Sequence, residues 1–600
     1  MAERPTISKV LVANRGEIAR RIVRGCRESG LASTAVFTDV DAASPHRHEA
    51  TDAVQVPGYL DVESLLAAAR ATGADAVHPG YGFLSENAGF ARAVVDAGLT
   101  WIGPSPDVIE LMGRKDRARE VAERVGVPVT PRYDPDAVPA DAYPVLVKAA
   151  AGGGGKGMHV VREAEQLAEA LATAAREAAA SFGDDTLLVE RYVEGGRHVE
   201  VQVFGDTHGT VVHLFTRDCS AQRRHQKIVE EAPAFDLPDA VRELLHTSSV
   251  ALAQEVGYTS AGTVEFLVNG DECFFLEMNT RLQVEHPVTE EVTGADLVRW
   301  QLDVAAGAAL PDQDSITCTG HAVEVRVYAE DPYAGFLPQA GRIEAFRPGP
   351  GARVEDAGLA AVSTAYDPMV AKLVVRGEDR ADALDRMVGV LDATVLAGLA
   401  NNLGFVRRLL DSAELRAGQV HTGWLDAHEG PLLERPDVPA AAATVAAGLL
   451  WPQVGDGWRS AGAPARVRRP VVDGSGVQHD VVSTDSPDLT GLLLGGRAHV
   501  VHEGQTWTFE RPDGMRRPHA AVAGDADVAA PMPGTVLEVR VTAGEVVEAG
   551  QRLGTIEAMK MELALVAAHA GTVTVLGAAV GDQVPMGHVL FHVEPEETHE

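Results

Sequence analysis

The chain reads as a multidomain protein of mixed α/β and α+β class. We expect an N-terminal doubly wound α/β domain, a middle built largely on antiparallel strands, and a closing all-β flattened barrel. Three observations predict this. A length of 600 residues exceeds what one hydrophobic core supports. The opening segment alternates short apolar runs with amphipathic stretches, and the tail repeats itself at an offset of 37 residues. Apolar residues make up 46% of the chain, enough for several cores, while 52 basic against 86 acidic side chains give a net charge of −34. That charge favours solubility and argues against nucleic acid or an anionic membrane as a partner.

In order, KVLVA (9–13), EIARRIVRGCRESG, STAVFT (33–38) and VESLLAAARATGA set the rhythm of parallel βαβ units, and we place a first domain at 1–112. From Met112 to about Phe204 the pattern becomes helix (DRAREVAERVG), strand (VLVKAA), glycine loop, strand (MHVV), long Ala/Glu helix and strand (LLVER). We expect a second domain at 113–320 with a lid at about 132–204. From 205 to about 350 strands such as TVVHLF and TVEFLV dominate, which predicts an antiparallel sheet. Residues 375–412 look helical again, within a third domain at 321–445. The Pro, Ala and Gly of 430–470 lack a clean period and mark a boundary. The segment 446–525 shows no readable motif, and we treat it as a linker.

In the tail, GTVLEVRVTAGEVVEAGQRL (534–553) matches GTVTVLGAAVGDQVPMGHVL (571–590), aligning Gly534 with Gly571, Gly544 with Gly581, Gly550 with Gly587 and Leu553 with Leu590. Two such strand-turn-strand units bury their apolar faces on each other, and the link between them forms an exposed hairpin. Lys560, in EAMKMEL, occupies that link. The four cysteines are scattered without a CxxC pair, and the N-terminal residues lack the apolar core of a signal peptide. A cytoplasmic setting is expected, with no membrane span.

Three stretches carry chemistry. VKAAAGGGGKGMHVV places four glycines ahead of Lys156 and Gly157. Such glycines let backbone N–H groups approach a polyphosphate. A Walker A loop needs Ser or Thr after the lysine and then a helix; a loop joining two strands instead suggests the lid of an ATP-grasp fold, and Lys148 strengthens the phosphate reading. In GTVEFLVNGDECFFLEMNTRLQVEHPVTE (262–290), two strands flank Asn269-Gly270-Asp271. If the loop holds an odd number of residues, Glu265 and Glu277 share a face, as hard divalent ions between phosphates require, whereas a strict two-residue turn separates them. We expect the odd loop. Asn279, Arg281, Gln283 and Glu285 follow at a spacing of two, so an extended chain presents them together. RDCSAQRRHQKIVEEAP (217–233) groups His225 and Lys227 behind two arginines, a composition suited to an anion.

Together with LVANRGEIA (11–19), HPGYGFLSEN (78–87), RHVEVQVFGD (197–206), GHAVEVRVYAEDP (320–332) and YDPMVAKL (366–373), these stretches resemble the biotin carboxylase family over roughly residues 7–445. APMPG (530–534) and AMKM resemble the biotinyl carrier domain at 526–596; lipoyl domains share that barrel, but methionines on both sides of the lysine favour biotin. The whole chain is therefore similar to α subunits of acyl-CoA carboxylases of the acetyl-, propionyl- or methylcrotonyl-CoA type. The resemblance implies an ATP-grasp domain at 113–320 and a biotin carboxylase C-terminal domain at 321–445. It also implies roles. Lys115, Lys148, Gly153, Gly154, Gly155, Glu190, His198, Gln222 and His225 would hold ATP. Glu265 and Glu277 would bind Mg²⁺ or Mn²⁺, with Asn279 beside them. Lys227, Arg281, Gln283 and the backbone of Val284 would hold bicarbonate. Glu285 would take its proton, and Arg326 would stabilise the biotin enolate, so Glu285, Arg281, Lys227 and Arg326 form the implied catalytic set. Bicarbonate would attack the γ-phosphate to give carboxyphosphate, and the carboxyl group would pass to biotin held covalently on Lys560. Implied partners are a biotin protein ligase and a carboxyltransferase β subunit in a hetero-oligomer, docked by 446–525. Two positions depart from the pattern: Arg114 stands where Gly-Asp-Lys is usual, and Thr216 replaces an acid before RDCS. Competing readings are a non-catalytic biotinylated scaffold and an ATP-grasp ligase with a lipoyl-like arm.

Overall fold

Strands that are apolar on both faces need cover on both faces, and the opening βαβ pattern provides it. In the computed structural model, which describes residues 7–150, 158–182, 185–223, 226–427, 430–451, 468–482, 488–512, 526–532, 534–558, 561–577, 579–585 and 587–595, the strands Asp52–Gln55, Ala32–Phe37, Lys9–Val12, Ala76–His78 and Thr100–Trp101 lie in that order as one parallel sheet. Val10, Leu11 and Val12 are fully buried. The helices between the strands start where their caps demand: Asp61, Asn87 and Ser105 accept hydrogen bonds from the backbone N–H three residues on. At the carboxyl ends of the central strands, Asn14 donates to the carbonyls of Pro79 and Tyr81, both at 2.7 Å. Gly80 is required there: its φ is +64°, and a Cβ would lie 2.9 Å from the Asn14 amide nitrogen. This packing brings Glu17, Tyr81 and Glu86 to the sheet edge where open α/β folds place their ligands.

The expected antiparallel middle is an eight-stranded sheet, in the order Glu272–Asn279, Ser260–Asn269, Arg197–Gly205, Val211–Arg223, Gln226–Ala232, His321–Tyr328, Met369–Gly377 and Arg353–Asp356. It runs unbroken across the expected boundary at 320/321, through pairing of Gln226–Ala232 with His321–Tyr328. A separate four-stranded sheet, Arg132–Tyr133, Leu187–Arg191, Val145–Ala149 and Met158–Val161, carries the helix Leu167–Phe182 and lies within the span expected to be a lid. Strand Arg197–Gly205, which the expected lid span included, belongs instead to the large sheet.

The boundary expected at 445/446 falls inside the helix Ala440–Leu450. That helix packs on a five-stranded antiparallel sheet formed by residues 469–510, so the segment expected to be a linker has its own core around Val471, Ala498, Val500 and Phe509. The carboxyl-terminal repeat forms two four-stranded sheets around Val536, Leu553, Ile556, Val573, Leu590 and Phe591. The short strands exchange between copies: Val546–Val547 of the first pairs with Gly571–Leu576 of the second, and Gln583–Val584 pairs with Gly534–Val539. Each copy therefore completes the other. Strands Arg552–Ala558 and Met561–Val566 pair with Ala558 opposite Met561. Lys560 lies outside the described residues, as do Gly153, Gly154, Gly155 and His225.

Candidate active site

The hairpin of Ser260–Asn269 and Glu272–Asn279 supplies the acidic pair. The odd loop expected from the sequence does not occur: Asn269 pairs with Glu272, leaving a two-residue turn at Gly270 and Asp271. A β-bulge at Leu276 restores the alignment, shifting the register between Phe266↔Phe275 and Glu265↔Glu277, so the two glutamates stand directly opposite on one face. The bulge adjoins Phe275, where Pro128 accepts a backbone hydrogen bond at 2.7 Å and Val129 forms a bridge.

Around Glu265, Asn279 Nδ2 approaches to 2.8 Å, Gln283 Nε2 to 3.1 Å and Lys227 Nζ to 3.3 Å. His198 Nε2 lies 3.0 Å away but off the hydrogen-bonding direction, so that contact is electrostatic. Burial raises the Glu265 pKa, but Lys227 and His198 outweigh it and hold the group well below the carboxylate range. Glu277 moves the other way, because burial and then repulsion from Glu265 raise it; Lys115 Nζ stands 3.6 Å away. Two facing carboxylates with an adjacent Asn279 amide form a hard oxygen donor set, which fits Mg²⁺ or Mn²⁺ better than a softer ion.

Beyond Asn279 the chain turns rather than staying extended, and Glu285 becomes the N-terminal flank of the helix His286–Thr293. The residues spaced by two still converge. Arg281 donates to Gln283 Oε1 at 2.7 Å, to Asn279 Oδ1 at 3.0 Å and to Glu86 Oε2 at 2.9 Å. Glu285 is fully buried, with Oε1 2.5 Å from Lys227 Nζ and Oε2 3.1 Å from Arg326 NH2. Burial opposes its charge, but Lys227, Arg326 and Arg217 keep it well below the usual carboxylate range. Gln222 stands opposite Lys227 in the ladder, and the Val284 carbonyl accepts from Lys372. Lys148 and Glu190 meet on the separate four-stranded sheet at 2.7 Å, with Thr130 also donating to Glu190 at 2.7 Å.

Several site residues escaped the sequence reading. Glu200 binds Lys227 at 2.7 Å and Arg217 at 2.5 Å, and Glu230 binds Arg326 at 2.5 Å. Glu86, within HPGYGFLSEN, joins them by accepting from Arg281. Glu200 had a usable signal: His198, Glu200 and Gln202 alternate along one strand face. The two departures are absorbed locally. Arg114 pairs with Asp116 at 3.0 Å, and the buried Thr216 hydroxyl accepts from the Ala234 N–H at 3.1 Å.

Comparison with known proteins identifies the family. Family profiles match in chain order: Biotin carboxylase, N-terminal domain, at 6–109; Carbamoyl-phosphate synthase L chain, ATP binding domain, at 115–313; Biotin carboxylase C-terminal domain at 324–427; and Biotin-requiring enzyme at 526–593. The biotin-dependent acyl-coenzyme A carboxylase alpha3 subunit of Mycobacterium leprae is 41% identical, over 98% of this chain and 99% of its own. The mitochondrial methylcrotonoyl-CoA carboxylase subunit alpha of Arabidopsis thaliana is 37% identical, over 98% and 95%. Among solved structures, the biotin carboxylase domain dimer of Hydrogenobacter thermophilus 2-oxoglutarate carboxylase, in complex with MgADP, ADP and bicarbonate, superposes with a TM-score of 0.68 at 41% identity, over 72% of this chain and 99% of that one. The chain belongs to the family of biotin-dependent acyl-CoA carboxylase α subunits, a biotin carboxylase joined to a carboxyl-terminal biotinyl domain.

Proposed function

We propose that this chain carboxylates biotin carried on its own Lys560, using ATP and bicarbonate, and delivers the carboxyl group to a separate carboxyltransferase β subunit that acts on an acyl-CoA. The observation that carries this reading is the convergence of Glu285, Lys227, Arg326, Arg281 and Gln283 beside the facing pair Glu265 and Glu277. Lys227, Arg281, Gln283 and the Val284 N–H hold bicarbonate as an anion. Glu285, ionised between its cations, accepts the bicarbonate proton, and the freed oxygen attacks the γ-phosphorus as ADP departs. Lys115, Lys148, Glu190, His198, Gln222, His225 and the loop at Gly153, Gly154 and Gly155 hold the nucleotide. Glu265, Glu277 and Asn279 would hold Mg²⁺ or Mn²⁺, which would supply charge neutralisation at the phosphates. Biotin would supply the ureido nitrogen that takes up the carboxyl group as inorganic phosphate leaves with the ureido proton, and Arg326 balances the negative charge that develops there. The lid sheet excludes water during these steps.

For the domains, we assign 113–320 as ATP-grasp and 321 to about 439 as the biotin carboxylase C-terminal domain, and we assign the unit made by the helix Ala440–Leu450 and the strands that pack on it as the β-subunit docking segment. That segment is anchored to the body of the enzyme by Arg497 on Glu344 at 2.9 Å and by Thr506, whose hydroxyl accepts from the Leu396 N–H. A biotin protein ligase modifies Lys560. Localisation is assigned to the cytoplasm; among the described residues no helix is long and apolar enough to cross a membrane. Glu285→Gln keeps the side-chain shape and removes the base, so bicarbonate-dependent ATP cleavage should fall by about 10²–10⁴-fold. Nucleotide affinity, read by titration, should stay within twofold. Lost nucleotide binding with normal saturated turnover would move Glu285 into the metal and phosphate cluster.

A further inference from the structure

Lys372 is fully buried in the middle of strand Met369–Gly377, and the roles assigned above leave it without one. A buried ammonium is costly unless it is paired and hydrogen-bonded. Here Nζ lies 3.0 Å from Glu17 Oε1 and donates to the Val284 carbonyl at 2.7 Å. Glu17 in turn accepts from the Tyr81 hydroxyl.

A purely structural lysine would need only the Glu17 carboxylate, yet the shorter contact is to main chain in the turn that carries Gln283, Val284 and Glu285. In the ladder, Lys372 stands opposite Arg326, so the two cations share one sheet face on neighbouring strands. Arg326 grips the Glu285 carboxylate, while Lys372 grips the carbonyl of the preceding residue. The next peptide upstream is also held: the Gln283 carbonyl accepts from His286 Nδ1 at 2.7 Å and from the His286 N–H at 3.3 Å. Because each peptide is planar and trans, fixing both carbonyls fixes the direction of the Val284 and Glu285 N–H groups. A loop with both peptide planes fixed does not have to reorganise when an anion arrives.

We propose that Lys372 is a positioning residue for bicarbonate: held by Glu17, it locks the Val284–Glu285 peptide while His286 holds the Gln283–Val284 peptide, so that the Val284 N–H between them and the Glu285 carboxylate meet the anion in register. This rests on the assignment of Val284 and Glu285 to the bicarbonate site. It places the control of bicarbonate binding partly in the N-terminal domain, through Glu17 and Tyr81, and leaves the nucleotide contacts untouched.

The test uses the full chain with Lys372→Met, which keeps length and volume but removes the donor. Losing a hydrogen bond from a charged group should raise the bicarbonate KM by about 10–100-fold. The ATP KM and the nucleotide Kd should stay within twofold, and Lys372→Arg, which keeps a cationic donor, should recover part of the loss. If Lys372→Met does not accumulate as folded protein, Glu17→Gln/Lys372→Met removes the orphaned carboxylate and is read in the same way. Wild-type bicarbonate KM in a folded variant lacking the lysine overturns the proposal, and so does an equal rise in the ATP and bicarbonate KM values. Glu285→Gln, assayed alongside, keeps the two readings apart. If it retains turnover, the site assignment fails; if it loses turnover while the Lys372 variants match wild type, only the role of Lys372 fails.

Discussion

Each oxygen of Glu285 has its own cation, Lys227 on one and Arg326 on the other. Arg326 also binds Glu230, whose carboxyl is pushed up to about 7 chiefly by burial. Arg326 is thus shared between Glu285, the proposed proton acceptor, and a second acid, and its removal should act on two steps unequally. Carboxyphosphate forms before charge develops on biotin, so Arg326→Ala should retain part of the bicarbonate-dependent ATP cleavage while losing most of the carboxyl transfer. Parallel assays of ADP release and of radiolabel transferred to biotin check this, and an equal loss in both would tie Arg326 to the first step alone. At this scale the sequence was informative wherever chemistry dictates a residue type at a fixed spacing, as in Asn279, Arg281, Gln283 and Glu285. It was silent on Glu17, Glu230 and Lys372, whose importance comes from elements distant in sequence that only the fold brings together: Glu17 on the helix after the first strand, Glu230 and Lys372 on separate strands of the large sheet.

The strand Gln226–Ala232 is the seam of the large sheet, and its two consecutive acids point to opposite faces. Glu230 faces Arg326, while Glu231 faces away toward the helix Arg380–Ala393, where Arg380 reaches it at 2.6 and 2.9 Å and His321 at 2.9 Å. Burial alone would raise the Glu231 pKa, but the hydrogen bonds from His321 and Arg380 outweigh it and lower the group from 4.5 to about 2. A carboxylate depressed on folding contributes stability above its unfolded pKa, and that contribution is lost as pH falls from about 4.5 toward 2. Glu231→Gln should therefore lower stability at pH 7 by on the order of 3 kcal/mol and flatten its decline below pH 4.5. Unfolding midpoints at pH 7 and pH 3 read this directly; an unchanged difference between the two would show that the pair contributes nothing. Elements were legible where periodicity was strong, as in the opening βαβ units and the tail repeat. The Glu265 and Glu277 register shows the limit. The pattern Asn269-Gly270-Asp271 announces a hairpin, but the bulge at Leu276 adjoins a contact with Pro128 and Val129, far away in sequence.

Across the molecule, one sheet spans what the sequence divides into two domains, so Glu230 meets Arg326 on the adjoining strand, while Lys372 on the next strand reaches Glu17 on a helix of the N-terminal domain. The tail is different in kind, being a closed unit whose two copies exchange short strands and share one core. A repeat of this sort was legible because the alignment at 37 residues is a property of the sequence itself, whereas the sheet formed by 469–510 carries no motif and emerges only from its packing against the helix Ala440–Leu450. The architecture sets an enzyme and the arm that it loads on this one chain. That pairing is tested with the biotinylated full-length protein, incubated with ATP, Mg²⁺ and radiolabelled bicarbonate. Acid-labile label should appear on the chain, depend on ATP, be blocked by avidin, and be absent from both Lys560→Ala and Glu285→Gln. Label of wild-type strength on Lys560→Ala, or none on the biotinylated wild-type chain, would contradict it.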